Sequence, residues 1–165
     1  MKTLLLLRHA KSSKDDTALR DFDRPLNDRG KDDTKLIGRF IRESSISPDL
    51  VISSPAKRAT KTTELVLKSA GLKINVASDE RIYEADVHRL LTVVSQIEPA
   101  RSVVMLVGHN PGFEDLVEAL AGRTTRLPTA SLAQIDLTVE EWNKVRVGAG
   151  KLKWLVTPKD LKKTD

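Results

Sequence analysis

Apolar residues follow two rhythms along this chain. Leu4–Leu7, Leu50–Ile52 and Ser102–Val107 are short, nearly continuous runs. They are too short for helices and suit strands covered on both faces. Between and after them, apolar positions recur every three or four residues. Leu36, Ile37, Phe40 and Ile41 form one such stripe, and Ala59, Thr63, Val66, Leu67 and Ala70 a second. Val87, Leu90, Leu91, Val94 and Ile97 form a third, and Phe113, Leu116, Val117 and Leu120 a fourth. Each predicts an amphipathic helix. Start and stop signals agree: Asn27, Ser54-Pro55, Asp86 and Asn110-Pro111 open helices, while Ser47-Pro48, Gly71, Pro99 and Gly122 close them. Lys73–Val76, Ala130–Leu137 and Lys151–Val156 read as further strands, with Glu140-Glu141-Trp142 turning between the last two.

Strands alternating with helices predict an α/β fold of three layers, a largely parallel central sheet flanked by helices. One domain is expected over residues 1–158, with a flexible tail at 159–165. The polar connection from Lys14 to Pro25 is long for a loop, and a long loop beside a strand end often carries function.

Charge changes the picture only slightly. The 28 Lys and Arg are interleaved with 23 Asp and Glu, giving a net charge of +5. Six aromatics and no nucleic-acid-binding motif argue against a nucleic-acid partner. The excess charge suits a solvated surface, notably Lys151 to Lys163, and a cationic site for an anionic substrate. Without cysteine, disulfides and thiolate metal ligands are excluded. The apolar run after Met1-Lys2-Thr3 breaks at Arg8, too early for a secretion signal, and no segment reaches membrane-spanning length. A cytoplasmic protein with no membrane partner, and a monomer, is the expectation.

Three strand-to-helix junctions deliver candidate chemistry. Arg8-His9 follows the first strand, Arg58 lies in the first turn after the second, and His109 follows the fourth. In a parallel sheet these junctions share one edge, where α/β folds bind ligands. Guanidinium groups grip phosphate oxygens, a neutral imidazole is a nucleophile, and helix N-termini favour anions. Singly, each residue has an ordinary structural explanation: Arg8-His9 as a surface edge, Arg58 as part of a basic helix face with Lys57 and Lys61. Their convergence favours phosphoryl-transfer chemistry. His88, with no partner motif, reads as structural, and Asn110 as a helix cap.

Arg8-His9-Ala10-Lys11-Ser12, Arg24-Pro25-Leu26 to Gly30, Ser53-Ser54-Pro55 to Arg58, Tyr83-Glu84-Ala85 and Gly108-His109-Asn110-Pro111 occur in this order through the chain. Together they resemble the histidine phosphatase superfamily, and within it the SixA-type phosphohistidine phosphatases. The commoner signature has glycine after the histidine, whereas Ala10 stands here, as is frequent in the SixA-type branch. Trp154 to Pro158 is similar to that branch's C-terminus. The resemblance implies a phosphoglycerate mutase-like fold and a metal- and cofactor-independent phosphatase. It implies that His9 attacks phosphorus to form a transient phosphohistidine. Arg8, Arg58 and His109 then hold the phosphoryl oxygens, with Ser12 as a further phosphate contact. Glu84 is implied as proton donor to the leaving group, with Asp86 the second candidate.

The implied substrate is phosphohistidine in a phosphorylated protein. The alternatives are a small phosphate ester (a sugar or nucleotide phosphate), or a non-catalytic phosphoprotein-binding module. A metal hydrolase using His9, His109 and Glu84 is disfavoured, because Arg8 and Arg58 would face the cation.

Overall fold

The computed structural model describes residues 1–163. Six strands form one sheet: β1 (Lys2–Arg8), β2 (Leu50–Ser53), β3 (Val76–Ser78), β4 (Val103–Gly108), β5 (Leu132–Leu137) and β6 (Gly150–Val156). They lie in the order β3-β2-β4-β1-β5-β6. The first four run parallel, and β5 and β6 add an antiparallel edge. Five helices flank the sheet: α1 (Asp28–Glu43), α2 (Lys57–Ala70), α3 (Val87–Ser95), α4 (Gly112–Ala121) and α5 (Pro158–Lys162). The three-layer architecture with a largely parallel central sheet is therefore borne out.

The leucine run explains how the layers assemble. Successive strand side chains point to opposite faces. Leu4 and Leu6 join Val104 and Leu106 in the core under α3 and α4. Leu5 and Leu7 join Met105 and Val107 in the core under α1 and α2. All four leucines are fully buried, so β1 is apolar on both faces because helices cover both. The run ends where the sheet ends, at Arg8, which pairs in register with Gly108 of β4. His9 N–H continues the ladder, donating to the Gly108 carbonyl at 3.0 Å.

Several boundaries differ from the sequence expectation. The third strand lies at Val76–Ser78 rather than Lys73–Val76; it is an exposed edge strand, where no buried stripe marks its limits. Trp142 does not simply turn the chain; it is buried, and its Nε1–H donates to the Arg101 carbonyl at 2.7 Å. A flexible tail was expected from 159, yet α5 extends from Pro158 to Lys162. Thr157 caps it in a reciprocal capping box with Asp160, and Lys162 Nζ lies 3.3 Å from the buried Asp33 of α1. Residues 164 and 165, the end of that expected tail, lie outside the described residues. Among the described residues no helix is long and apolar enough to cross a membrane.

Candidate active site

The carboxyl ends of β1, β2 and β4 are adjacent, and their following segments wall a cleft of about 300 Å³. Arg8, His9, Lys11, Ser12, Lys14, Arg24, Arg58 and His109 contribute to its lining, all of them cationic, imidazole or hydroxyl groups. The convergence expected from the three junctions is present: the His9 and His109 rings lie 5.2 Å apart between centroids.

His9 is 7 % exposed. Its Nδ1 lies 2.8 Å from the Ala10 carbonyl, which can only accept, so Nδ1 carries the proton and Nε2 keeps its lone pair. Burial pushes the ring's pKa down to about 3; the Ala10 bond opposes this, and the nearby His109, Arg58 and Arg8 reinforce it. His9 is therefore neutral at physiological pH. Its backbone is braced from α2: Ala10 N–H donates to Thr62 Oγ1 at 2.9 Å, and Thr62 donates onward to the Arg58 carbonyl at 2.7 Å.

His109 Nε2 lies 2.7 Å from Ser54 Oγ. That hydroxyl also accepts from Ala56 N–H at 3.2 Å, so Ser54 ties the imidazole to the start of α2. Burial, then the charge of Arg58, lowers the His109 pKa to about 4. Ser54 was expected to cap α2. The cap position instead falls at Ala56, and Ser54 serves the imidazole. Asn110 is likewise not the cap of α4, since that helix begins one residue past Pro111. Its amide donates to the Leu127 carbonyl at 2.8 Å, beside Arg8, whose Nη1 donates to the same carbonyl at 2.9 Å.

Arg58 is held by a residue that the sequence reading passed over. Its Nη1 donates to the Asp21 carbonyl at 2.6 Å and its Nη2 to the Asp21 carboxylate at 2.9 Å. Tyr83 O–H donates to the same carboxylate oxygen at 2.8 Å. Although burial opposes it, these bonds hold the Asp21 carboxyl below its ordinary value. Burial and the bond to Asp21 push the Tyr83 phenol up to about 12. The Tyr83 ring meets both Phe22 and His109 edge-on. The long polar connection thus folds back over the sheet edge, and only its length and polarity marked it in the sequence. Ser12 reaches the cleft wall, but its hydroxyl accepts from Arg24, and its backbone bridges to Leu26.

Glu84 does not line this cleft. It is exposed, with a left-handed backbone (φ 56°), and borders an adjoining hollow of about 370 Å³ that meets the cleft at His109 and Asn110. A non-glycine residue in that conformation costs about 1 kcal/mol or more, and such strain concentrates at functional sites. Asp86 borders the same hollow and caps α3, accepting from Arg89 N–H at 2.8 Å. His88 is exposed on α3.

Among the described residues, six buried side-chain polar atoms lack a hydrogen-bond partner. Four of them, Arg8 Nε, Arg58 Nε, His109 Nδ1 and Asn110 Oδ1, belong to residues of this cleft. Two of those four, the guanidinium Nε atoms of Arg8 and Arg58, are donors. Unmet buried donors are costly, and their concentration here marks a place built for an anion with several acceptor oxygens. The described residues contain no group of three or more His, Cys, Asp or Glu side chains placed to hold a metal ion.

Two histidines kept neutral by burial make stability pH-dependent. Unfolded, each binds a proton near pH 6.5; folded, only near 3 and 4. Between those values the unfolded state holds more protons, so stability falls as pH drops below 6.5. Thermal unfolding between pH 7 and 4.5 is expected to show the transition temperature falling by several degrees. His9→Ala should flatten that decline, and an unchanged slope in the variant would refute the assignment.

The family model of the histidine phosphatase superfamily (branch 1) matches residues 4–100. A candidate phosphohistidine phosphatase, SixA, from Agrobacterium tumefaciens has the same fold. Its TM-score is 0.82 at 29 % identity, over 95 % of this chain and 98 % of that one. A protein histidine phosphatase SixA complexed with tungstate superposes with a TM-score of 0.84 at 23 % identity, over 96 % and 99 % of the two chains. An uncharacterized chloroplastic protein of Arabidopsis thaliana is 31 % identical, over 95 % of this chain and 78 % of its own length.

Proposed function

The chain belongs to the histidine phosphatase superfamily, branch 1, and from that premise we propose that it hydrolyses phosphohistidine in proteins through a phosphorylated His9. The observation that carries the reading is a buried, neutral imidazole with a free Nε2 lone pair beside a cleft lined by Arg8, Arg58 and His109. In the first step the Nε2 pair forms a bond to phosphorus while the bond to the substrate's imidazole nitrogen breaks. The electron pair leaves with that nitrogen, which takes up a proton. In the second step water attacks phosphorus and loses a proton, and the bond to Nε2 breaks, returning the pair to His9 and releasing inorganic phosphate. Arg8, Arg58 and His109 hold the equatorial oxygens in both transition states, the two guanidinium groups neutralising their charge.

A protein substrate is supported by what covers the cleft. The chain between Arg58 and His109 is used up by α2, β3, a 3₁₀ turn, α3 and β4, leaving no segment there for a large lid, and the polar connection supplies Lys14 and Arg24 to the cleft wall. An unlidded cleft holds a phosphoryl group but offers few contacts to a sugar. Imidazole also leaves phosphorus more readily than an alkoxide, so it demands less of the exposed Glu84, which is proposed to donate the proton from the adjoining hollow.

A side-by-side panel tests the reading. Phosphohistidine peptides should give higher kcat/KM than sugar or nucleotide monophosphates. Glu84→Gln should slow alkyl phosphate hydrolysis more than phosphohistidine hydrolysis. A sugar phosphate ranked first, with phosphohistidine untouched, would replace this reading with a small-ester phosphatase; binding without turnover would make the protein a recognition module. Because guanidinium groups supply the positive charge, chelator should leave turnover unchanged, and vanadate should inhibit. Activity lost on chelation and restored by zinc or magnesium would defeat the metal-independent mechanism.

A further inference from the structure

A second basic hollow lies beside the cleft. It is a groove of about 440 Å³ lined by Pro25, Lys31, Lys57, Lys61, Glu64 and the nearly buried Leu26. Lys61 is partly offset by Glu64, 3.4 Å away; among the described residues neither Lys31 nor Lys57 forms an ion pair. Both are exposed. The groove is joined to the cleft by the backbone. Ser12, on the cleft wall, forms an antiparallel bridge with Leu26, on the groove wall. Asn27 N–H donates to the Lys11 carbonyl at 3.0 Å, and Gly30 packs so tightly there that a Cβ would sit 2.2 Å from that oxygen. On the other side Lys57 immediately precedes Arg58. The walls of the two hollows are therefore about one strand spacing (~5 Å) apart at the Ser12–Leu26 bridge. An extended peptide advances ~3.3 Å per residue, so a few residues carry a chain from one to the other.

This placement decides what the groove fits. Its net charge is positive, three lysines against Glu64, and Pro25 and the lysine stems give it apolar surface. No aromatic side chain lines it, so a nucleotide base would find nothing to stack on. A peptide with acidic side chains around an apolar one matches both features, the carboxylates meeting the lysines and the apolar side chain lying on the half-buried Pro25 and the lysine stems. We propose that the groove receives an acidic, leucine-type segment flanking the phosphorylated histidine, so that this protein selects its substrates by the charge of their flanks. The proposal rests on the phosphohistidine reading above.

The experiment compares two peptides phosphorylated on histidine with phosphoramidate. They are identical except for Glu-Leu-Glu or Lys-Leu-Lys within five positions of the phosphohistidine, and p-nitrophenyl phosphate serves as the small substrate. Each exposed ion pair is worth up to about fivefold. The unaltered protein should therefore favour the acidic peptide by about tenfold in kcat/KM, through KM, and rising salt should erode that preference. The double variant Lys31→Glu, Lys61→Glu, with both changes on exposed or half-exposed helix positions, should lose or reverse the preference. It should turn over p-nitrophenyl phosphate as before, at an unchanged melting temperature. A variant that keeps the preference overturns the proposal, as does one that loses the small substrate to the same degree. If the unaltered protein hydrolyses p-nitrophenyl phosphate but neither peptide, the phosphohistidine reading itself has failed.

Discussion

Replacing His9 with alanine is expected to lower turnover by at least about 10⁴-fold, the scale on which loss of a covalent nucleophile is felt. Folding at neutral pH should survive, because among the described residues the side chain's only hydrogen bond is to the carbonyl of its neighbour Ala10 and the strand behind it is anchored by four buried leucines. The chemistry makes the intermediate identifiable. A phosphoramidate on imidazole is labile in acid and stable in base, whereas a serine or threonine phosphate ester survives acid. A brief reaction with a labelled phosphodonor, quenched both ways, should place an acid-labile label on His9. Near-normal activity in His9→Ala, or an acid-stable label elsewhere, would end this mechanism.

Arg58→Ala is expected to cost about 10²–10³-fold in kcat/KM, as for other lost donors to a developing charge. The Asp21 clamp gives a second, separable result. Asp21 and Tyr83 do not line the cleft, whereas Arg58 does, so the carboxylate grips the guanidinium from behind. Each Nη gives one N–H to Asp21, while the buried Nε has no partner. Asp21→Ala should then cost about tenfold, through misplacement of Arg58, and weaken vanadate inhibition in proportion. In an Arg58→Ala background the same change should cost less than about twofold, because nothing remains to position. Equal losses in both backgrounds would show that Asp21 acts on the loop in general and not on Arg58.

Order along the chain and proximity in space were legible to different degrees. The leucine run announces a two-face-buried strand because only a covered strand tolerates four consecutive apolar residues, and its end at Arg8 marks the sheet edge. Helix stripes, the C-terminal caps Gly71 and Gly122 (both at φ 70°) and the Asp86 cap are local patterns of spacing and backbone conformation, and the fold bears them out. The convergence of His9, Arg58 and His109 followed from parallel topology alone. Local logic failed where a polar side chain had two possible partners. Ser54 and Asn110 sit at helix starts and read as caps, yet Ser54 bonds to an imidazole 55 residues away and Asn110 to a carbonyl 17 residues away. Asp21 was one of four aspartates in a polar connection, with nothing in its neighbours to single it out. The sequence by itself determined five of the strands, the first four helices and the edge on which the charges gather, though not the limits of β3 or the presence of α5, because periodicity and junctions are properties of neighbouring residues. Only the tertiary structure decided which tautomer His9 holds, what grips Arg58 and where Glu84 stands. Those depend on hydrogen bonds and burial between segments that the chain brings together only once it has folded.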